Sequence, residues 1–167
     1  ETIREALAAG QFDFGENYQQ ELAAKAVQLA SFAPPPAWHY QGTLQRRKIR
    51  EILKVSRSIL SVARLEELEE ISRRAADEIS CLIEVNIAAE ERKNGAAPGD
   101  LAGLLERAAG LSRISVRGLM CVPPADGEPR PWFARLRELA DRHGPPERSM
   151  GRSNDSDAAI EEGATIV

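Results

Sequence analysis

The sequence predicts an α/β fold: a (βα)8 TIM barrel lacking its first strand, with seven parallel strands alternating with helices. Short apolar runs typical of strands alternate with segments of helical periodicity along the whole chain. Strands separated by connections of helical length favour parallel βαβ units. The chain opens on a predicted helix and closes on a predicted strand, so one further strand before Glu1 would complete eight βα units. We therefore expect a barrel cut short at both ends.

The individual elements follow from periodicity and from helix-stop signals. The capping-box pattern Thr2-x-x-Glu5, ended by Gly10, predicts the first helix. Further helices are predicted at residues 18–30, 46–54, 65–77, 100–109, 132–142 and 155–162. Strands are predicted at residues 12–14, 38–40, 58–62, 81–87, 116–122, 148–150 and 164–167. All of them are assigned to one domain, 1–167. The alternative is a doubly wound open sheet, which usually carries a glycine fingerprint after its first strand, and none occurs here.

Composition excludes several classes of function. The chain has 22 basic and 26 acidic residues, so its net charge is −4, and the two signs are interspersed. This balance predicts neither a nucleic acid nor a membrane partner. Cys81 and Cys121 lie in predicted strands, which is typical of buried thiols in a reducing compartment, and we expect a cytoplasmic protein without a signal peptide. No Cys/His spacing suits a metal, and no G-x-S-x-G elbow is present.

Candidate site residues follow the strands, because TIM barrels place their chemistry at the carboxyl ends of the strands. Asn17 follows a short strand and either binds a ligand ring or closes a turn. His39, inside a strand, is either an acid–base group or a histidine that packs in the core or supports a ligand-contacting residue. Asn86 and Met120 also lie where apolar strands end.

The segment Ser149-x-Gly151-x-Ser153 is the most informative of these strand ends. It joins a strand to the predicted helix at 155–162, so its hydroxyls and free N–H groups would point to a common spot. Glycine allows close approach of a ligand to the backbone, and a helix start favours an anion. By its place in the predicted strand order, this segment corresponds to the loops after strands seven and eight, which bind phosphate in many TIM barrels. The alternative is a simple helix cap with a glycine turn.

Five motifs, in order along the chain, carry a resemblance to a known family. They are Phe14-Gly15-Glu16-Asn17-Tyr18, Trp38-His39-Tyr40-x-Gly42-x-Leu44-Gln45, Val85-Asn86-Ile87 with Lys93-x-Gly95, Arg117-Gly118-Leu119-Met120, and Ser149-Met150-Gly151-x-Ser153-x-Asp155. Together they resemble the pyridoxal phosphate homeostasis proteins, also described as the alanine racemase N-terminal-like barrel family.

The resemblance implies a fold type III barrel that holds pyridoxal 5′-phosphate (PLP). It implies a Schiff-base lysine on the first strand and an arginine beyond the last strand that faces the pyridine nitrogen. Carried over residue by residue, Ser149, Gly151 and Ser153 would cradle the phosphate. Asn17 and Met120 would line the ring, and His39 and Asn86 would stand at the mouths of their strands.

The sequence departs from the family pattern at several points. The Schiff-base lysine would precede Glu1 and the pyridine-facing arginine would follow Val167, so neither is expected within this chain. Arg152 and Arg47 stand where the family usually has methionine and asparagine.

The implied function is a non-enzymatic carrier in vitamin B6 homeostasis, a monomer with PLP and apo PLP-dependent enzymes as its partners and no catalytic residue or metal. A PLP-dependent amino-acid racemase-like enzyme is the alternative. A phosphate-ester lyase or isomerase is a third hypothesis, although such enzymes place paired acids or lysines at strand ends.

Overall fold

The computed structural model describes residues 2–167, which form one curved sheet of six parallel strands covered by helices. The strands are β1 (Asp13–Glu16), β2 (Ala37–Tyr40), β3 (Ser56–Val62), β4 (Ile79–Glu84), β5 (Ile114–Met120) and β6 (Glu147–Ser149). The helices are α1 (Thr2–Ala8), α2 (Gln19–Leu29), α3 (Ile49–Ile52), α4 (Leu65–Arg74), α5 (Leu101–Ala109), α6 (Arg130–His143) and α7 (Ser156–Glu161). Because the strands pair in chain order, every connection runs to the neighbouring strand, and all carboxyl ends meet at one edge.

Apolar side chains on both faces of the sheet explain its near-continuous hydrophobic strands. Ile59, Cys81 and Leu119 belong to the large cluster that packs against the helices. Leu60 and Leu82 point the other way, into a smaller cluster on the inner face together with Met120. Parallel sheets are typically buried on both faces in this manner, since successive side chains alternate between them.

The prediction of seven strands is wrong for the part of the chain that the structure describes. Residues 164–167 make only an isolated bridge, in which Ile166 lies beside Ser149 and its carbonyl accepts the Met150 N–H at 3.1 Å. An apolar segment forms a strand only where an adjacent strand hydrogen-bonds to it along its length. The sequence of the segment itself does not show whether such a strand is present.

Two helix predictions also needed correction. The helix expected at 46–54 is reduced to Ile49–Ile52, because the chain before it turns through a hydrogen bond from Lys48 N–H to the carbonyl of Gln45. α1 already includes Thr2, so that residue is not the cap that the sequence pattern predicted.

Candidate functional site

A cavity of about 1290 Å³ lies along the inner face of the sheet and opens at the carboxyl ends of its strands. Its volume exceeds the roughly 300–1,000 Å³ of most small-molecule sites. Six of the seven residues predicted from sequence line it together: Asn17, His39, Met120, Ser149, Gly151 and Ser153. The residues that sequence reasoning missed include Asp13, Gln41, Ser156 and Thr165. Strand alternation could have found the first two, since Asp13 shares a face with Asn17, and Gln41 with His39.

Glu16 fixes the end of β1 and thereby the position of Asn17. Its carboxylate accepts the backbone N–H groups of Asn17 at 2.8 Å and of Tyr18 at 3.1 Å, and it forms an ion pair with Lys25 of α2. Burial alone would raise the pKa of Glu16, but the Lys25 hydrogen bond and the two amides together bring that pKa below its usual value. The carboxylate is therefore charged at neutral pH and orders the turn that carries Asn17.

His39 lines the cavity with both ring nitrogens already engaged by the protein. Nδ1 lies 2.6 Å from the hydroxyl of Ser58 on β3, and Nε2 lies 2.9 Å from a carboxylate oxygen of Asp13 on β1. Its neighbours Trp38 and Tyr40 point to the helix side and are buried in the large cluster. The imidazole thus connects three adjacent strands, and neither nitrogen is free to hydrogen-bond a ligand in this arrangement.

The segment after β6 forms a corner of unpaired donors at the cavity wall. Gly151 has a φ of +99°, and a Cβ there would stand 2.6 Å from the Cβ of Ala159, so only glycine fits this turn. The hydroxyls of Ser149, Ser153 and Ser156 make no hydrogen bond with the described part of the chain. Asp155 instead accepts the backbone N–H of Arg152 and stabilises the loop. With only six residues, α7 contributes little dipole, so an anion here would depend on the hydroxyls and N–H groups.

Met120 and Cys121 provide the apolar wall of the cavity at the end of β5. Met120 packs with Leu60 and Leu82 of the inner cluster. Burial raises the pKa of the Cys121 thiol to about 12. That thiol is therefore protonated at neutral pH and is a packing group, not a nucleophile.

Asn86 is not among the residues that line the cavity. Its amide donates to the carbonyl of Glu90 at 2.8 Å and accepts the Glu90 N–H at 3.1 Å, which closes the loop after β4. β4 ends at Glu84, two residues before Asn86, so strand alternation no longer determines where this side chain points. An asparagine in such a loop commonly mimics a backbone turn.

Within residues 2–167 no group of three or more His, Cys, Asp or Glu side chains is arranged to hold a metal ion. No described helix is long and apolar enough to cross a bilayer.

Comparisons with known proteins identify the family. The family model for the alanine racemase N-terminal domain matches residues 1–161. The pyridoxal phosphate homeostasis protein of Pseudomonas aeruginosa is 40% identical over 173 residues, which cover 99% of this chain and 74% of that protein. The corresponding protein of Aquifex aeolicus is 38% identical and is covered over 78% of its length.

Solved structures agree with this assignment. PipY of Synechococcus elongatus, in its structure with PLP bound, superposes with a TM-score of 0.88 at 34% identity, covering 99% of this chain and 82% of PipY. An alanine racemase of Corynebacterium glutamicum superposes with a TM-score of 0.65 at 16% identity, over 92% of this chain and 45% of the racemase, and shows the shared fold. The chain belongs to the pyridoxal phosphate homeostasis protein family and is built on the alanine racemase N-terminal domain.

Proposed function

We propose that this protein binds PLP in the cavity of the sheet and acts as a non-enzymatic carrier in vitamin B6 homeostasis. The observation that carries the proposal is the corner formed by Ser149, Gly151 and Ser153. There the chain offers unpaired hydroxyls beside a turn that excludes any Cβ, and PipY, which superposes over nearly the whole chain, has a structure with PLP bound.

In this proposal each predicted site residue has a defined task. Ser149, Gly151 and Ser153 hold the phosphate, since hydroxyl and N–H donors bind charged oxygens more strongly than neutral ones. Asn17 and Met120 face the pyridine ring. His39 acts through Asp13 and Ser58 by holding the cavity wall, and Asn86 shapes the loop after β4. PLP itself supplies a reactive aldehyde on an electron-withdrawing ring.

The carrier proposal is favoured over a racemase-like enzyme by the state of the titratable groups in the cavity. The described lining residues that could act as bases are Asp13, His39, Cys121 and Glu147. Both nitrogens of His39 are engaged, the Cys121 thiol is protonated, and Glu147 pairs with Arg117 at 3.4 Å. Proton abstraction from an amino acid needs a free base near the ring, and these groups do not provide one.

We propose that the protein works in the cytoplasm, where the two buried free thiols, Cys81 and Cys121, would stay reduced. Its proposed recipients are apo PLP-dependent enzymes, and its proposed state is a monomer whose strands form an arc of a (βα)8 barrel.

The test is equilibrium binding of PLP to the full-length protein, followed by fluorescence, together with a racemisation assay on alanine and other amino acids. The expected result is saturable binding of PLP without racemisation. Absence of binding at saturating PLP contradicts the proposal, and turnover of an amino acid would favour the enzyme.

A further inference from the structure

We infer that Arg152 makes the cavity selective for the phosphorylated form of the cofactor by pairing its guanidinium with the phosphate. The inference rests on the proposed function and adds to it a residue that determines specificity. It concerns the vitamers that carry a phosphate ester, as opposed to the free aldehyde pyridoxal.

The charges around the cavity carry the inference. Among the described residues that line it, Arg152 is the only lysine or arginine. The cavity lining also contains the carboxylates of Asp13 on β1 and Glu147 on β6, and Asp155 lies in the loop that carries Arg152. A phosphate ester carries a charge of about −1.5 to −2 at neutral pH. A dianion that enters beside carboxylates needs a cation nearby, and Arg152 is the one that the cavity wall offers.

Arg152 is also available for a ligand. Its side chain is exposed and forms no ion pair within the described residues, whereas nearby arginines are committed to acids. Arg130 pairs with Glu162 at 2.8 Å, and Arg148 pairs with Asp141 at 3.0 Å. The carboxylate of Asp155 accepts the backbone N–H of Arg152, not its guanidinium. Planar guanidinium groups bind phosphate oxygens through two parallel hydrogen bonds.

The local backbone keeps this cation next to the hydroxyl corner. Gly151 turns the chain immediately before Arg152, and Asp155 fixes the N–H that follows. Ser149 lies three residues before Arg152 and Ser153 lies one residue after it, and both serines line the same cavity. One short loop therefore presents hydroxyls and a positive charge to a single anion.

The experiment compares Arg152→Met with Arg152→Lys in the full-length protein, measuring dissociation constants for PLP and for pyridoxal at low and high salt. Arg50→Met is the matched control, because Arg50 is an exposed arginine of α3 without an ion pair in the described chain. We expect Arg152→Met to weaken PLP binding about three- to tenfold, as for a partly exposed charge pair. Pyridoxal binding should not change, and the salt dependence of PLP binding should fall. Arg152→Lys should retain most of the affinity.

The outcomes separate this inference from the proposed function. If wild type binds PLP and Arg152→Met binds it equally well or more tightly, the inference is overturned and the carrier proposal stands. Equal weakening of PLP and pyridoxal would also overturn it, because the side chain would then act by packing. If wild type fails to bind PLP, both are overturned.

Discussion

Gly42 lies against the backbone of Asn17 so closely that a Cβ at Gly42 would stand 1.8 Å from the Asn17 carbonyl oxygen. The ends of β1 and β2 are thus joined by a contact that admits hydrogen alone. Asn17, the candidate ring-contacting residue that follows β1, is thereby positioned by Gly42, which follows β2.

Gly42→Ala should displace Asn17 and destabilise the protein by about 1–3 kcal/mol, the usual cost of overpacking a buried site. PLP affinity should fall with it. The control is Gly103→Ala in α5, where a Cβ meets nothing within 4 Å and where alanine favours the helix by roughly 0.5–1 kcal/mol. Denaturant unfolding of both variants checks this, and an unchanged midpoint for Gly42→Ala would contradict the contact.

Glu16→Gln retains an oxygen that accepts the Asn17 and Tyr18 amides but removes the charge opposite Lys25. The loss of that partly exposed ion pair should cost about 0.5–1 kcal/mol at pH 7. Because folding lowers the pKa of Glu16, its contribution is complete above the ordinary value of 4.5 and is lost as the pH falls through the lowered value. The stability difference between wild type and variant should therefore shrink in acid below pH 4.5.

The comparison for Glu16 is Glu21→Gln, which removes the exposed second partner of Lys25 at 3.0 Å. An exposed pair four residues apart on a helix is worth only about 0.3–0.5 kcal/mol. Unfolding measured from pH 3 to 7 should thus show a clear effect for Glu16 and a small one for Glu21. Equal losses of stability in Glu16→Gln and Glu21→Gln would contradict the prediction that the Glu16–Lys25 ion pair is the stronger of the two.

Ser58→Ala should destabilise the protein by about 1 kcal/mol, because it leaves Nδ1 of His39 without its partner. Ser56→Ala provides a matched control two residues away on the same strand. The Ser56 hydroxyl is buried and has no hydrogen-bond partner within the described chain, so its removal should be neutral or stabilising. Thermal unfolding of the two variants tests the hydrogen bond between His39 and Ser58. Equal changes in stability for Ser58→Ala and Ser56→Ala would contradict the prediction.

Ser149→Ala combined with Ser153→Ala should weaken PLP binding with little change in stability, since neither hydroxyl is bonded within the described chain. Each hydrogen bond to a charged phosphate contributes about 1.5–3 kcal/mol. Ser31→Ala, at an exposed turn far along the sequence from this loop, is the control. Fluorescence titration with PLP measures the effect, and wild-type affinity in the double variant would show that the phosphate binds elsewhere.

The alternation of strands and helices and the grouping of polar strand ends were predictable from sequence. Both depend on local periodicity and on the common direction of parallel strands, and six predicted site residues do line one cavity. The fate of residues 164–167 was not predictable, because pairing depends on a neighbour distant in sequence. That Asn86 lies outside the cavity lining was not predictable either, since β4 ends two residues before it and its amide is hydrogen-bonded to Glu90 in the loop.

The hydrogen bonds of His39 have a mechanical consequence. With one nitrogen tied to β1 and the other to β3, the imidazole acts as a brace across that side of the cavity, and separating these strands would break both bonds. On the opposite wall the segments after β5 and β6 are joined by a backbone hydrogen bond from the Cys121 N–H to the Ser149 carbonyl at 3.1 Å, but no side-chain hydrogen bond links the serine hydroxyls of that wall in the described chain. Binding and release of a ligand should therefore involve movement of the loop that contains Gly151. The side of the cavity that contains His39 should keep its conformation.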